Sequence, residues 1–188
     1  ASAAGARAAA SHTGALASDD AVFDGMCRQT GLIRATDVEE AFEAAATFAT
    51  QPLPDGERVV VVTTVGGWGV AAVDAMADTR LDPAALPDDL MAAIDEKLPP
   101  RWSKNNPIDM AGGETRDTVP EILQLVAEHP DVDAVVLLGV GIQSNTASMM
   151  RNGPVFPDHG LERIVGFHER QDTRYAEAAA KISTATGT

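Results

Sequence analysis

The chain of 188 residues has one cysteine, Cys27, which excludes an internal disulfide framework and a cysteine-based structural zinc site. Basic residues are scarce: 14 Lys and Arg stand against 28 Asp and Glu, for a formal net charge of -14. Such a field repels polyanions, so no nucleic acid and no anionic membrane surface is an expected partner, although a small anion in a local pocket is still compatible with it. No apolar run approaches the roughly 20 residues of a membrane span. The Ala-rich start lacks a basic region followed by an apolar stretch, so it does not read as a signal peptide. These absences together lead to the expectation of a soluble cytoplasmic protein. No Gly-x-Ser-x-Gly elbow, P-loop, dinucleotide fingerprint, metal-ligand cluster or internal repeat is present. What is present is ordinary globular composition, 45% hydrophobic and 22% charged, which argues against wholesale disorder.

The texture changes along the chain. Residues 1–18 are small, with Arg7 and His12 as isolated polar groups and Gly5 and Gly14 interrupting an alanine helix. From Asp19 the spacing of Val22, Phe23, Met26 and Cys27 predicts a helix ending at Gly31. Thr36 followed by Glu39 reads as a capping box opening a second helix, with Val38, Ala41, Phe42, Ala45 and Phe48 as its apolar stripe. Pro52 and Pro54 end that helix, and a domain boundary is expected near residue 52.

Beyond it, Arg58–Thr64 contains four consecutive valines, the pattern of a strand buried on both faces. It runs into Gly66-Gly67-Trp68-Gly69 and a helix expected over Val70–Thr79. Leu90, Ile94 and Leu98 mark another helix, opened by Pro87, and Val119, Ile122, Leu123 and Val126 a further one. Ala134–Val140 reads as a second apolar strand, with a helix starting in the polar stretch from Gln143. A last helix is expected from about Asp172 to Thr186, capped by Gly187. Strands alternating with helices imply an α/β fold with a parallel sheet, whose ligands bind beyond the carboxyl ends of the strands. The final helix has no strand to feed and the Ala-rich start has no sheet of its own, so the chain reads as cut at both ends.

Several residues invite a chemical reading. Glycines between a strand and a helix let backbone N–H groups converge, and the helix start adds partial positive charge, so Gly66, Gly67 and Gly69 suit a phosphate. A tight turn that merely needs glycine is the alternative. Gly141, Gln143 and Ser144 repeat the arrangement after the second strand. His12 sits among Ser, Thr and Gly, the setting of a loop; most such histidines are only solvated. His129 stands at a helix end, and His168-Glu169 lacks the second histidine of a zinc helix. Asn106-Pro107-Ile108-Asp109 brackets a stiff turn with an amide and a carboxylate, which serve either local backbone bonding or a ligand. Cys27, on an apolar helix face, reads as core.

Taken in order, these features carry a resemblance. Gly5-Ala6-Arg7-Ala8-Ala9-Ala10-Ser11-His12-Thr13-Gly14-Ala15-Leu16-Ala17 resembles the active-site histidine segment of the NDP-forming acyl-CoA synthetases, the ADP-forming acetate–CoA ligases of the succinyl-CoA synthetase superfamily. A helix pair, the valine strand with its Gly-Gly-x-Gly turn, the Asn-Pro-x-Asp segment and the Asp131–Val136 strand follow in the family's order. The resemblance implies that residues 1–51 are the tail of a first flavodoxin-like ligase domain with the phosphohistidine loop. Residues 52–188 would be most of a second, flavodoxin-like parallel sheet with flanking helices. A CoA-binding domain and an ATP-grasp domain, in the same chain or another subunit, are implied as partners, with an oligomer expected, in a family whose complete enzymes use CoA, ATP or ADP, and Mg2+. The fragment alone is expected to bind no cofactor or metal. The implied reaction interconverts acyl-CoA, ADP and phosphate with acid, CoA and ATP. By the resemblance, His12 accepts the phosphoryl group; Gly66, Gly67, Gly69, Gly141, Gln143 and Ser144 cradle it; Asn106 and Asp109 support the site. The family commonly has Asn and Ala where Thr64 and Val65 stand, and a small residue or Pro at Trp68. Those departures motivate an alternative: a non-catalytic acyl-CoA or nucleotide-sensing or assembly module, including one fused to a protein acyltransferase.

Overall fold

The computed structural model describes residues 4, 5, 7, 8, 20–110, 112, 113, 115 and 117–188. The chain divides into two compact units, Ala1–Gln51 and Pro52–Thr188.

In the first unit, α1 (Asp20–Thr30) and α2 (Val38–Thr50) are the long elements. Helix α1 ends where Gly31 takes φ +72; of the expected apolar face it buries Cys27, while Val22, Phe23 and Met26 are exposed. The capping signal before α2 lies one residue later than the sequence pattern suggests. Asp37, not Thr36, is the N-cap and accepts from the Glu40 N–H at 2.8 Å; Glu40 reaches back to the Thr36 N–H at 2.7 Å. A carboxylate is a stronger acceptor for that first-turn N–H than a hydroxyl, which explains the shift. Val38, Phe42 and Phe48 on α2 are exposed.

The second unit is a parallel sheet with helices on both faces. Its centre is β1 (Arg58–Thr63), followed by α3 (Gly66–Met76), β2 (Asp82–Pro83), α4 (Asp88–Asp95), β3 (Ile108–Asp109), α5 (Thr118–Ala127), β4 (Ala134–Leu138), α6 (Ile142–Arg151) and α7 (Leu161–Thr186). β4 lies along one side of β1 in a five-residue register from Val59↔Ala134 to Thr63↔Leu138. β2 and β3 share the other side, β2 at Arg58 and Val59 and β3 at Val62 and Thr63. Alternate valines serve opposite faces. Val60 and Val62 pack with Leu90, Ile94, Ile108, Ile122 and Val126, while Val59 and Val61 pack against Met76 and Val73 of α3. Each such side chain removed from water contributes about 1.5–3 kcal/mol before entropy is counted, so this strand anchors the unit.

Two helices start earlier than the periodicity predicts. Helix α3 begins at Gly66 rather than Val70, so the glycines are its first turn. Helix α7 begins at Leu161, eleven residues before Asp172, behind Gly160 at φ +77. Its first turns carry Leu161, Ile164 and Val165 at helical spacing, with Val165 buried, and the helix packs along α6. Strand β4 stops at Leu138, two residues short of the predicted end, where Gly139 turns to φ +100.

At the amino edge of the sheet, Arg58 binds Asp133 twice, through Nε at 3.0 Å and Nη2 at 2.8 Å, and also through its backbone N–H at 2.8 Å. The Arg58 guanidinium, then its backbone N–H, hold the Asp133 carboxyl down at about 2. A carboxyl depressed in the folded state adds stability above its unfolded value and loses it as pH falls toward the folded value. Thermal melts taken from about pH 5 down to about pH 2 are therefore expected to fall more steeply for the wild type than for Arg58→Met. Parallel acid slopes would show that this pair does not contribute.

Candidate functional site

The carboxyl ends of β1, β3 and β4 bring together the two glycine turns and the Asn-Pro-x-Asp segment. After β1, the Thr63 hydroxyl accepts from the Val65 N–H and donates to the Val65 carbonyl, both at 2.9 Å, closing a local turn. Helix α3 follows at once. Its bonds from Trp68 and Gly69 N–H to the Val65 carbonyl, at 3.0 and 3.3 Å, leave the Gly66 and Gly67 N–H groups as the open donors of the first turn, without a partner among the described residues. Gly67 has open space where a side chain would stand. Trp68 is 53% exposed beside it.

The three glycines do different work. A methyl group on Gly66 would land on the Asp109 carboxylate, so Gly66 is where β3's acid meets the start of α3. A methyl on Gly69 would stand 2.9 Å from Thr63 Cγ2 and 3.0 Å from Pro107 Cβ, so Gly69 lets the helix sit tightly on the strand ends. Gly69→Ala is expected to cost about 2 kcal/mol through overpacking, read as a lower urea midpoint with an unchanged m-value. An unchanged midpoint would mean the neighbours yield freely and would remove packing as the reason for glycine here.

Asn106 and Asp109 part company. Asn106 is buried, and its side chain is bound to backbone: Oδ1 accepts from the Val61 N–H at 2.9 Å, while Nδ2 donates to the Val59 and Ala84 carbonyls at 2.8 and 3.0 Å. It fills the interval along β1 between β2 and β3, which makes it a side-chain splice in the sheet. Asp109 ends β3, donates its backbone N–H to the Ser103 hydroxyl oxygen at 2.9 Å, and points its partly exposed carboxylate at Gly66.

The turn after β4 is built otherwise. Gly139 lies against the Thr64 hydroxyl, and Gly141, at φ +95, is the N-cap of α6. The Ser144 N–H donates to Asp172 Oδ2 at 2.5 Å, and the Gln143 side chain meets His168 Nδ1. Two of the residues expected to cradle phosphate are thus engaged by α7. Asp172 and His168 one turn before it have no motif in sequence; the one available signal was their i, i+4 spacing on a helix.

Other candidates are placed as follows. His12 lies outside the described residues. The His129 ring accepts from the Asp131 N–H at 3.1 Å and faces Asp89 at 3.4 Å, a structural setting at the end of α5. His159 stands in the loop before α7 with φ +55. Among the described residues no three His, Cys, Asp or Glu side chains are grouped to hold a metal, and no helix is long and apolar enough to cross a membrane. The donor set at the sheet edge, backbone N–H groups with glycine clearance, suits an oxyanion rather than a metal.

Comparison with known proteins agrees with this architecture. The family described as "Succinyl-CoA ligase like flavodoxin domain" matches residues 1–48, and "Ligase-CoA domain" matches residues 59–150. The ADP-forming 4-hydroxybutyrate–CoA ligase of Nitrosopumilus maritimus is 36% identical over 132 residues, covering 70% of this chain and 19% of that protein. The alpha subunit of the ADP-forming acetate–CoA ligase I of Pyrococcus furiosus is 35% identical over 136 residues, covering 71% of this chain and 29% of the subunit. A dinucleotide-forming acetyl-coenzyme A synthetase 1 of Ca. Korarchaeum cryptofilum, solved in complex with phosphate and ADP, superposes with a TM-score of 0.66 at 28% identity, covering 98% of this chain and 44% of that one. The chain thus spans less than a third of the length of these two curated relatives. A glycine-started helix behind a valine strand, an Asn-Pro-x-Asp segment beside it and two ligase-domain matches in the expected order place the chain in the NDP-forming acyl-CoA synthetase family.

Proposed function

We propose that this chain is the phosphoryl-handling part of an ADP-forming acyl-CoA synthetase. The observation that carries the reading is the start of α3, where the Gly66 and Gly67 N–H groups stand open at the carboxyl end of β1. In this reading residues 1–51 are the tail of a first flavodoxin-like ligase domain with the phosphohistidine loop, and residues 52–188 belong to a second. The complete enzyme adds CoA-binding and ATP-grasp domains, in the same chain or another subunit, and works as an oligomer in the cytoplasm, where CoA and nucleotides are drawn upon.

The reaction runs in three balanced steps. Phosphate oxygen attacks the thioester carbonyl, the C–S bond breaks, and CoA leaves with a proton, giving an acyl phosphate. The neutral imidazole nitrogen of His12 then attacks phosphorus, the P–O bond to the acyl group breaks, and the carboxylate is released. Finally the terminal phosphate oxygen of ADP attacks the phosphohistidine, restoring the imidazole and forming ATP. The phosphoryl group crosses each transition state with charge spread over its oxygens, so preorganised N–H donors at a helix start lower the barrier without basic side chains. That is how a chain of net charge -14 can handle an anion.

Asp109 shapes this site. Its carboxylate lies against Gly66, where its negative charge weighs on any anion held at the first turn of α3. The exposed Trp68 on the same turn supports a second reading, a non-catalytic ligand-sensing module of a ligase-like protein. The two are separated by assaying the full-length protein with acid, CoA and ATP. Catalysis gives CoA-dependent ADP formation and acid-labile, base-stable protein phosphate; sensing gives ligand binding with neither.

A further inference from the structure

The two glycine turns at the carboxyl edge of the sheet each carry an aspartate of the same chain, but on different terms. At α3 the acid is Asp109, partly exposed, at the end of a two-residue strand and next to the open space at Gly67. At α6 the acid is Asp172, 5% exposed, on the middle of a 26-residue helix that packs along both α6 and α5. Its Oδ2 accepts the Ser144 N–H at 2.5 Å. Its Oδ1 is buried with no hydrogen-bond partner among the described residues. A carboxylate bonded through one oxygen and bare at the other keeps much of its charge uncompensated. The field at the first turn of α6 is therefore set by a fixed anion and not by the helix dipole alone.

We propose that Asp172 is a resident anion that closes the start of α6 to oxyanions and leaves the Gly66 turn as the phosphoryl site on this edge. The inference rests on the phosphoryl reading of that edge. It assigns to α7 a role in ligand specificity: the sheet offers two similar helix starts, and a buried side chain from a third helix removes one. Asp109 is partly exposed, whereas Asp172 has no exposed space to enter without unpacking α7. The His168 ring, one turn earlier on α7, engages the Gln143 side chain and so withdraws a second group that could have met the ligand.

The test titrates inorganic phosphate into the isotopically labelled 188-residue chain and follows backbone amide shifts. In the wild type, saturable shifts are expected at Gly66 and Gly67 and none at Ile142, Gln143 and Ser144. Asp172→Ala is expected to add saturable shifts at Ile142–Ser144, with affinity there raised at least about tenfold by removal of a like charge next to the anion. Asp172→Asn, which keeps the shape and an acceptor for Ser144, is expected to show the same gain in weaker form, and it decides the matter if the alanine variant does not fold. Wild-type shifts at Ile142–Ser144 at the same phosphate concentration as those at Gly66 would overturn the proposal. So would a folded variant whose Ile142–Ser144 amides stay silent. Silence at Gly66 and Gly67 would instead sink the phosphoryl reading of the α3 turn, so the two failures are told apart.

Discussion

In the full-length protein, His12→Ala is expected to abolish acid-labile phosphorylation and to lower CoA-dependent ADP formation by more than about 10³-fold. The loss should be near total because the nucleophile forms the covalent intermediate itself, and two of the other three histidines are engaged elsewhere. The His129 ring is tied to the Asp131 N–H at 3.1 Å and packed at the end of α5. The His168 Nδ1 is engaged by Gln143 on α6. Each of these two rings makes contacts that a phosphoryl acceptor would have to break. The measurement is labelling with ATP terminally labelled on phosphate, followed by acid and base treatment, alongside a turnover assay. A His12→Ala protein that labels normally would remove His12 from the mechanism. Labelling lost with turnover retained would show that the reaction reaches ADP by direct transfer.

Asn106→Ala is expected to destabilise the second unit by about 3 kcal/mol, lowering Tm by roughly 10 °C. The single side chain satisfies three buried backbone groups, the Val61 N–H and the carbonyls of Val59 and Ala84. β2 pairs with β1 at Arg58 and Val59 and β3 at Val62 and Thr63; the Val59 carbonyl keeps the Ala84 N–H at 3.2 Å, whereas the Val61 N–H lies between the two pairings and loses its partner with the amide. Water has little access, since Asn106 is itself 8% exposed. Thermal and urea unfolding of the 188-residue chain check this. If melting were unchanged and only phosphoryl transfer suffered, Asn106 would be a ligand-binding residue after all, and the splice between β2 and β3 would be dispensable.

These two residues show what sequence reasoning reaches. The setting of His12 among small residues, together with the order of the motifs after it, pointed to the family because chemistry constrains residue type locally. For Asn106 the local sequence offers only turn chemistry or an amide facing a ligand. Its actual partners lie 45, 47 and 22 residues away, on segments whose approach no local pattern reveals. The same holds for Gly69, whose need for glycine comes from Pro107 on a different strand end. The start of α7, eleven residues before the expected one, follows the spacing of Leu161, Ile164 and Val165, a signal the sequence does contain, and the helix is supported by α6.

By itself the sequence determined the class of the fold and the order of its elements. Four valines in a row have nowhere to go but a two-faced core, and glycines after them make a strand-to-helix turn without steric cost. The tertiary structure alone decided which glycine turn is open. Both turns look alike along the chain, but Asp109 and Asp172 reach them from remote segments, one partly exposed and the other buried. Charge acts through space rather than along the chain, so the character of an anion site is set by whichever side chains packing brings within a few ångströms of it.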